Sequence, residues 1–391
     1  MFIRIKTFAI LLPALLLLPA WTIEAGAKKP AREPYVFKKI LELPHTPVKN
    51  QARTGTCWSF ATVSFLESEL IRLGKGEFDL SEMFIVRHTY PLKAASYIRR
   101  HGLTNFSQGG QSHDVIDVIK IHGLVPESVY SGMVVDEKRH NHGEMAAVLK
   151  ALLDAVLQKR GGRLSQVWPQ ALEQLLDIYL GPAPESFTYQ NRSITPRRFA
   201  DEILNLDLEA YIELTSYSHH PFYQRVHLEI PDNWSFYDGY YNLPLDEFQA
   251  IIDHALENGF TVAWDGDVSE RFFSSQKGYA IVPERDWEDL SRAEQEAEIV
   301  SPVPEKQVDQ EMRESSFADF STTDDHLMHI VGTARDQTGN LFYLAKNSGG
   351  TDRKHQGYVY MSVPYVRLKT VAVMVHKDAL PEAIATKLGL R

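Results

Sequence analysis

Apolar residues recur at steps of three and four through Phe60, Val63, Leu66, Leu70 and Leu73, and Gly74 follows the run. That spacing predicts an amphipathic helix from Cys57 to about Leu73, with Thr56 in the N-cap place and Gly74 as its stop. Leu80-Ser81-Glu82-Met83 carries the cap signature of a second helix, and a third is expected from about His113 to His122, stopped by Gly123. Between about Gly143 and Gly181 two apolar stripes follow one another, Ala147 to Leu157 and Leu172 to Tyr179, separated by Gly161-Gly162. Thr195-Pro196 starts a short helix by cap and first-turn proline. Asp246 to Glu257 reads as a helix closed by Gly259, and Phe260 to Trp264 as a strand.

Residues 286–325 are acidic, polar and weakly periodic, which predicts a surface excursion. After it the pattern changes to strands. His329 to Ala334 and Leu341 to Ala345 flank a turn at Thr338-Gly339-Asn340, and Gly357 to Ser362 and Val371 to Val375 follow. Helices first and strands last predict an α+β protein, a helical lobe and a sheet lobe meeting at a cleft. There is no internal repeat and no low-complexity tract.

The amino-terminal residues change the picture of where the protein works. Arg4 and Lys6 precede an uncharged apolar run from Phe8 to Trp21, shorter than the ~20 residues of a comfortable membrane span. Small residues follow at Ala25-Gly26-Ala27. This is the form of a secretory signal peptide over residues 1–27, leaving 28–391 as the mature protein, periplasmic or extracellular and free of the membrane after cleavage. The formal net charge is −10, and cleavage makes it one unit more acidic. Such a balance gives no electrostatic reason to bind nucleic acid.

The chain of 391 residues holds one cysteine. A lone thiol cannot form an internal disulfide or complete a structural zinc site, which leaves a buried small hydrophobe or a nucleophile. Cys57 stands at the predicted helix start, where unpaired N–H groups favour a thiolate. A thiol peptidase also needs an imidazole base, a side chain that orients the imidazole, and donors for the oxyanion. No Gly-x-Ser-x-Gly, phosphate loop or dinucleotide fingerprint is present. The pairs His140-Asn141-His142 and His219-His220 lack a known ligand spacing and read as exposed loop residues, so neither metal nor cofactor is expected.

The sequence resembles the papain-like cysteine peptidases. The likeness rests on Gln51-x5-Cys57-Trp58-Ser59-Phe60, Leu80-Ser81-Glu82, Gly109-Gly110, a late histidine, and Lys346-Asn347-Ser348 with Gly350, in family order. It is closer to the bleomycin hydrolase and bacterial aminopeptidase C branch, through Gly109-Gly110-Gln111, Ala263-Trp264-Asp265-Gly266-Asp267-Val268, Met328-His329-Ile330-Val331 and Val375-His376-Lys377-Asp378. The resemblance implies a papain-like two-lobe fold with an antiparallel sheet lobe and a helical insertion at about 131–260. It implies peptide substrates and an acyl-enzyme on Cys57. Gln51 is the oxyanion donor, His329 the base and Asn347 its orienter, with Gly109, Gly110 and Trp58 lining the substrate cleft. His329 is preferred to His326 because it opens the Ile-Val strand.

Two departures qualify that expectation. The family pattern Asn-Ser-Trp-Gly is Asn347-Ser348-Gly349-Gly350 here. The missing indole would shield the His–Asn hydrogen bond, so a weakened enzyme or an inactive peptide-binding scaffold is the alternative. The carboxyl-terminal arm that makes the branch aminopeptidases is short or absent, so a cleft open to endopeptidase substrates is the second expectation. The branch's hexameric assembly is not carried over, and the oligomeric state is left open.

Overall fold

The computed structural model describes residues 33–134, 138–159, 161, 163–296, 299 and 301–391. The expected signal peptide and Gly162 lie outside them.

The central helix runs Cys57–Arg72, as the apolar stripe predicts, and fourteen of its residues are buried. Its periodicity marks one face, yet it is buried all round because the helical lobe covers one side and the sheet the other. Thr56 occupies the N-cap position without capping by its side chain; its hydroxyl bonds Thr54 Oγ1 at 2.6 Å instead. Ser81 does cap the helix Glu82–Arg99, accepting from the Phe84 N–H. Helices Ser112–His122, Gly143–Leu157 and Trp168–Leu180 complete the helical lobe. Phe65, Leu66, Val115, Leu149 and Leu176 are fully buried in its core, each contributing roughly 1.5–3 kcal/mol by removal from water.

The other lobe is a sheet of eleven strands among the described residues. Its axis is the long strand His326–Asp336. One edge of that strand pairs antiparallel with Leu341–Lys346. The other pairs first with Val262–Gly266 and then with Phe37–Glu42. Leu327 lies opposite Asp265, and His329 opposite Ala263. Helix Leu245–Glu257 packs its apolar face under this sheet.

Three details differ from the sequence reading. The second half of the expected helical insertion feeds the sheet: Tyr211–Thr215 pairs with Thr370–His376, and Tyr240–Asn242 extends it further. All five residues of Tyr211–Thr215 are buried, so the alternation that signals a half-exposed strand is missing. The sheet is also mixed, because Tyr240–Asn242 and Tyr279–Ala280 join it in parallel. Finally, the 286–325 excursion is partly interior. Its helix Gln310–Ala318 carries Arg313, fully buried and bonded to the Ser216 and Arg367 carbonyls.

Candidate active site

Cys57 is the first residue of its helix and 7 % exposed. First-turn N–H groups have no intrahelical acceptor, so its own N–H is free to face an oxyanion. Its sulfur accepts from the backbone N–H of Leu327. The thiol therefore lies against the start of the axial strand, one residue from His326.

His326 and Asn347 come together there. His326 Nε2 is 2.8 Å from Asn347 Oδ1, and the same oxygen accepts from the Ser348 N–H at 2.7 Å. Two donors on one oxygen fix the amide orientation, so Nε2 carries the imidazole hydrogen and Nδ1 keeps a lone pair. Burial holds the His326 imidazolium below its ordinary range, the Asn347 bond opposes that, and the Arg353 charge adds to it.

The expectation for His329 is corrected. Its Nδ1 bonds Ser64 Oγ at 2.8 Å, and the ring is fully buried against Phe65. Ser64 is seven residues beyond Cys57 on the same helix face, about 10 Å deeper at 1.5 Å per residue. Positions 326 and 329 are an odd number apart, so a strand turns them to opposite faces. His329 faces Ser64 in the middle of the helix, and His326 faces the Asn347 turn. Burial, then the nearby Lys346 charge, keeps His329 neutral.

Gln51 stitches the nucleophile loop to the Asn347 segment. Its N–H donates to the Ser348 carbonyl at 2.9 Å, and its side-chain oxygen accepts from the Ser348 hydroxyl. One hydrogen of its amide goes to the Thr54 carbonyl at 2.7 Å, which leaves the second for an oxyanion. Trp58 lines no cleft. It is 1 % exposed and donates to the Gln108 carbonyl at 3.0 Å. A Cβ on Gly110 would stand 2.9 Å from its ring. It is the floor on which the glycine loop rests.

Gly109 is covered too. A Cβ there would meet the carboxylate of Asp232 at 1.8 Å. That side chain arrives on the loop 227–238 and accepts from Asn105 Nδ2 at 2.7 Å. Asp324, two residues before His326, accepts from Gln111 Nε2 at 3.0 Å and from the Asp232 backbone N–H. Asp265 lies opposite Leu327; burial and the neighbouring Asp324 raise it well above the carboxylate range. Together with burial, Asp232, Asp265 and Asp324 push the Cys57 thiol up to about 12, against the Leu327 N–H, which lowers it. The helix terminus alone does not set the thiol's state. The sequence reading prefers His329 to His326 and gives none of the three acids a role. A lone Asp inside the apolar run Thr261 to Trp264-Asp265 was the available signal, since a buried acid in a strand needs a reason.

The missing indole has a substitute. Arg353 lies over Gly349, its guanidinium carbon 3.3 Å from where a Cβ would be. The group that covers the Asn347 turn is thus a cation. Of the histidine pairs read as exposed, His142 is buried, with burial lowering it to about 4. His219, His220 and Glu229 bring possible metal-ligand atoms within 4.8 Å of one another at the surface. They are already bonded there: His219 to Glu314 at 2.6 Å and His220 to Glu229 at 2.9 Å. Among the described residues no helix is long and apolar enough to cross a membrane.

Comparison with known proteins agrees with this architecture. Residues 98–389 match the Peptidase C1-like family, and residues 40–155 match the papain family cysteine proteases. Aminopeptidase G of Lactobacillus delbrueckii subsp. lactis is 23 % identical over 388 residues, covering 87 % of this chain and 83 % of its own length. Mitochondrial cysteine proteinase 1 of Saccharomyces cerevisiae is 21 % identical, covering 90 % and 79 %. The crystal structure of PepW from Lactobacillus rhamnosis shares the fold, with TM-score 0.69 at 18 % identity, over 90 % of this chain and 85 % of that one. A thiol at a helix start, an imidazole–amide pair beside it and a match over most of its length make this chain a member of the Peptidase C1-like family, a cysteine-type peptidase of the bleomycin hydrolase and aminopeptidase C branch.

Proposed function

We propose that Cys57 is the nucleophile of an exported peptidase, with His326 as its base, Asn347 as orienter and Gln51 as oxyanion donor. The observation that carries this is the 2.8 Å contact from His326 Nε2 to Asn347 Oδ1, with the thiol held by the next residue's N–H. Attack of Sγ on the scissile carbonyl passes the thiol proton to His326 Nδ1. The oxyanion forms against the Cys57 N–H and the free Gln51 amide hydrogen. The imidazolium then protonates the leaving amine, and water, deprotonated by the same ring, releases the acyl group.

Burial of Cys57, 7 % exposed, favours one other reading, a scaffold that holds peptides without turnover. Mass spectrometry after mixing with an amino-acid ester separates the two. The peptidase carries one acyl group on Cys57, and none on His326→Ala quenched at the same time. A protein that binds the ester and never acylates overturns the peptidase reading. Export rests on residues 1–27. Amino-terminal sequencing of protein from the periplasm or medium should begin near residue 28; recovery of intact chain from the cytoplasm alone would remove the export proposal.

A further inference from the structure

Two adjacent histidines meet a glutamate at the start of the loop 227–238. The possible ligand atoms of His219, His220 and Glu229 lie within 4.8 Å of one another. Glu229 Oε2 is 2.9 Å from His220 Nε2 and 3.5 Å from His219 Nε2. A tetrahedral zinc ion with bonds of roughly 2.0–2.1 Å holds its ligand atoms about 3.3 Å apart. The two separations bracket that spacing. The hydrogen bond between His220 and Glu229 is no obstacle, because a metal ion competes with the proton for the same pair of atoms.

The surroundings hold this trio in place. Asn242, fully buried, accepts from the Tyr217 N–H at 2.8 Å and donates to the Tyr217 and His220 carbonyls at 2.8 and 3.0 Å, which closes the turn that carries both histidines. The His219 ring lies parallel to Phe317 of helix Gln310–Ala318, with 7° between the planes. Its Nδ1 is 2.6 Å from Glu314 Oε1 on the same helix. Glu314 Oε2 is fixed in turn by the Ser218 N–H at 2.7 Å and the Ser218 hydroxyl at 3.0 Å. A carboxylate in that place takes the Nδ1 hydrogen and leaves the Nε2 lone pair toward Glu229, the arrangement that orients metal-binding imidazoles and makes them more basic. Leu228 and Ile230 are buried on either side of Glu229, and its own side chain is exposed.

We propose that His219, His220 and Glu229 bind one divalent cation of the zinc class, through the two Nε2 atoms and a Glu229 oxygen, with water in the fourth position and Glu314 as the positioning residue behind His219. Two imidazoles select a d-block ion over magnesium or calcium, which take oxygen ligands. This corrects the expectation that the histidine pair has no ligand role, and it holds whether or not Cys57 is a nucleophile. The ion joins three stretches of chain: the turn that carries the histidines, the loop 227–238 and, through Glu314, helix Gln310–Ala318. Glu229 stands three residues before Asp232, whose carboxylate covers Gly109. The bound ion is therefore a clasp on the loop that lies against the glycine edge of the cleft.

Calorimetric titration of zinc chloride into the full-length Cys57→Ala protein tests this with the competing thiol removed. One zinc ion should bind per chain, and magnesium chloride should give no binding heat. Glu314→Gln keeps all three ligands and should weaken zinc about ten- to a hundredfold, the cost of losing an outer partner. His220→Ala and Glu229→Ala should each weaken it further. The ligand side chains are partly exposed, so melting curves in chelator should match the parent for all three variants. Amide exchange over residues 228–236 should slow when zinc is added to the parent, and stay unchanged in Glu229→Ala. Absence of zinc binding, or binding that survives both His220→Ala and Glu229→Ala, overturns the site. Magnesium held as tightly as zinc overturns the assigned class of ion. Zinc that binds and leaves exchange in the loop unchanged overturns the clasp.

Discussion

The start and the middle of the nucleophile helix are both polar, both buried and both furnished with a histidine and acids, yet they are built in opposite ways. Around Ser64 and Glu67 nearly every polar atom has a partner. Glu67 accepts from Thr46 at 2.5 Å and from the Leu80 N–H at 2.9 Å. Lys346 donates to Thr46 at 2.9 Å and to Ser64 at 2.7 Å, and Ser64 reaches His329. Around Cys57 the opposite holds: Asp265, Asp324 and Tyr240 keep oxygens without donors. A saturated network specifies packing, and an unsaturated one in the same low dielectric is a place for a ligand. His329 Nε2 and Ser68 Oγ are orphans at the deeper site among the described residues.

The comparison breaks most directly at its histidines. His326→Ala should lower kcat/KM on a fluorogenic aminoacyl amide by roughly a thousandfold, the loss expected for a general base. His329→Ala should leave a folded enzyme within a few-fold of wild-type activity. It should instead lower stability by roughly 2–4 kcal/mol, from a cavity and two uncapped polar neighbours. An active His326→Ala together with an inactive, well-folded His329→Ala would reverse the assignment.

That swap shows what the sequence makes legible. The helix 57–72 and the strand order are written in periodicity, and Cys57, Gln51 and Asn347 in local motifs. A choice between two histidines three residues apart is not, because it depends on where the strand begins. The Ile-Val run marks the strand's apolar middle, whereas pairing with Val262–Gly266 starts at His326. Asp232 is further from reach. It lies 123 residues beyond Gly109 in the chain, and only the return of the 227–238 loop brings the two together. Asp265 was the visible anomaly, an acid in a strand, and it is the residue whose oxygens have no donor.

Glu67→Gln sharpens the contrast from the structural side. It leaves Lys346 and Lys49 with one fewer buried anion, so a loss of about 3–5 kcal/mol is expected, as for breaking a buried pair. The urea midpoint reads it, with an unchanged slope if the fold is kept. Lys346, already lowered to about 8 by burial, would be lowered further once Glu67, the foremost group raising it, is gone. That has a pH signature. Its folded value sits below the ordinary lysine value, so the folded state binds fewer protons than the unfolded state between the two. Stability therefore rises with pH as the lysine is deprotonated in the fold, and in Glu67→Gln that rise begins at lower pH. A variant as stable as wild type would show that this network, although saturated, contributes nothing net.

The smallest effect probes the surface of the site. Arg353 stands over Gly349, where the family pattern has an indole, and its charge disfavours the His326 imidazolium. An indole would cover the same backbone without that field. Arg353→Ala should therefore raise the imidazole's affinity for a proton and move the acid limb of the kcat/KM profile to higher pH by a few tenths of a unit, the scale of one part-solvated charge. Arg353→Trp restores cover and removes charge, so it should keep that displaced limb while holding kcat nearer to wild type than the alanine does. Were alanine and tryptophan equal in kcat, cover would not matter at this position. Were the acid limb unmoved in both, the guanidinium would be a packing group alone, and the active-site field would belong entirely to the three acids on the other side of Cys57.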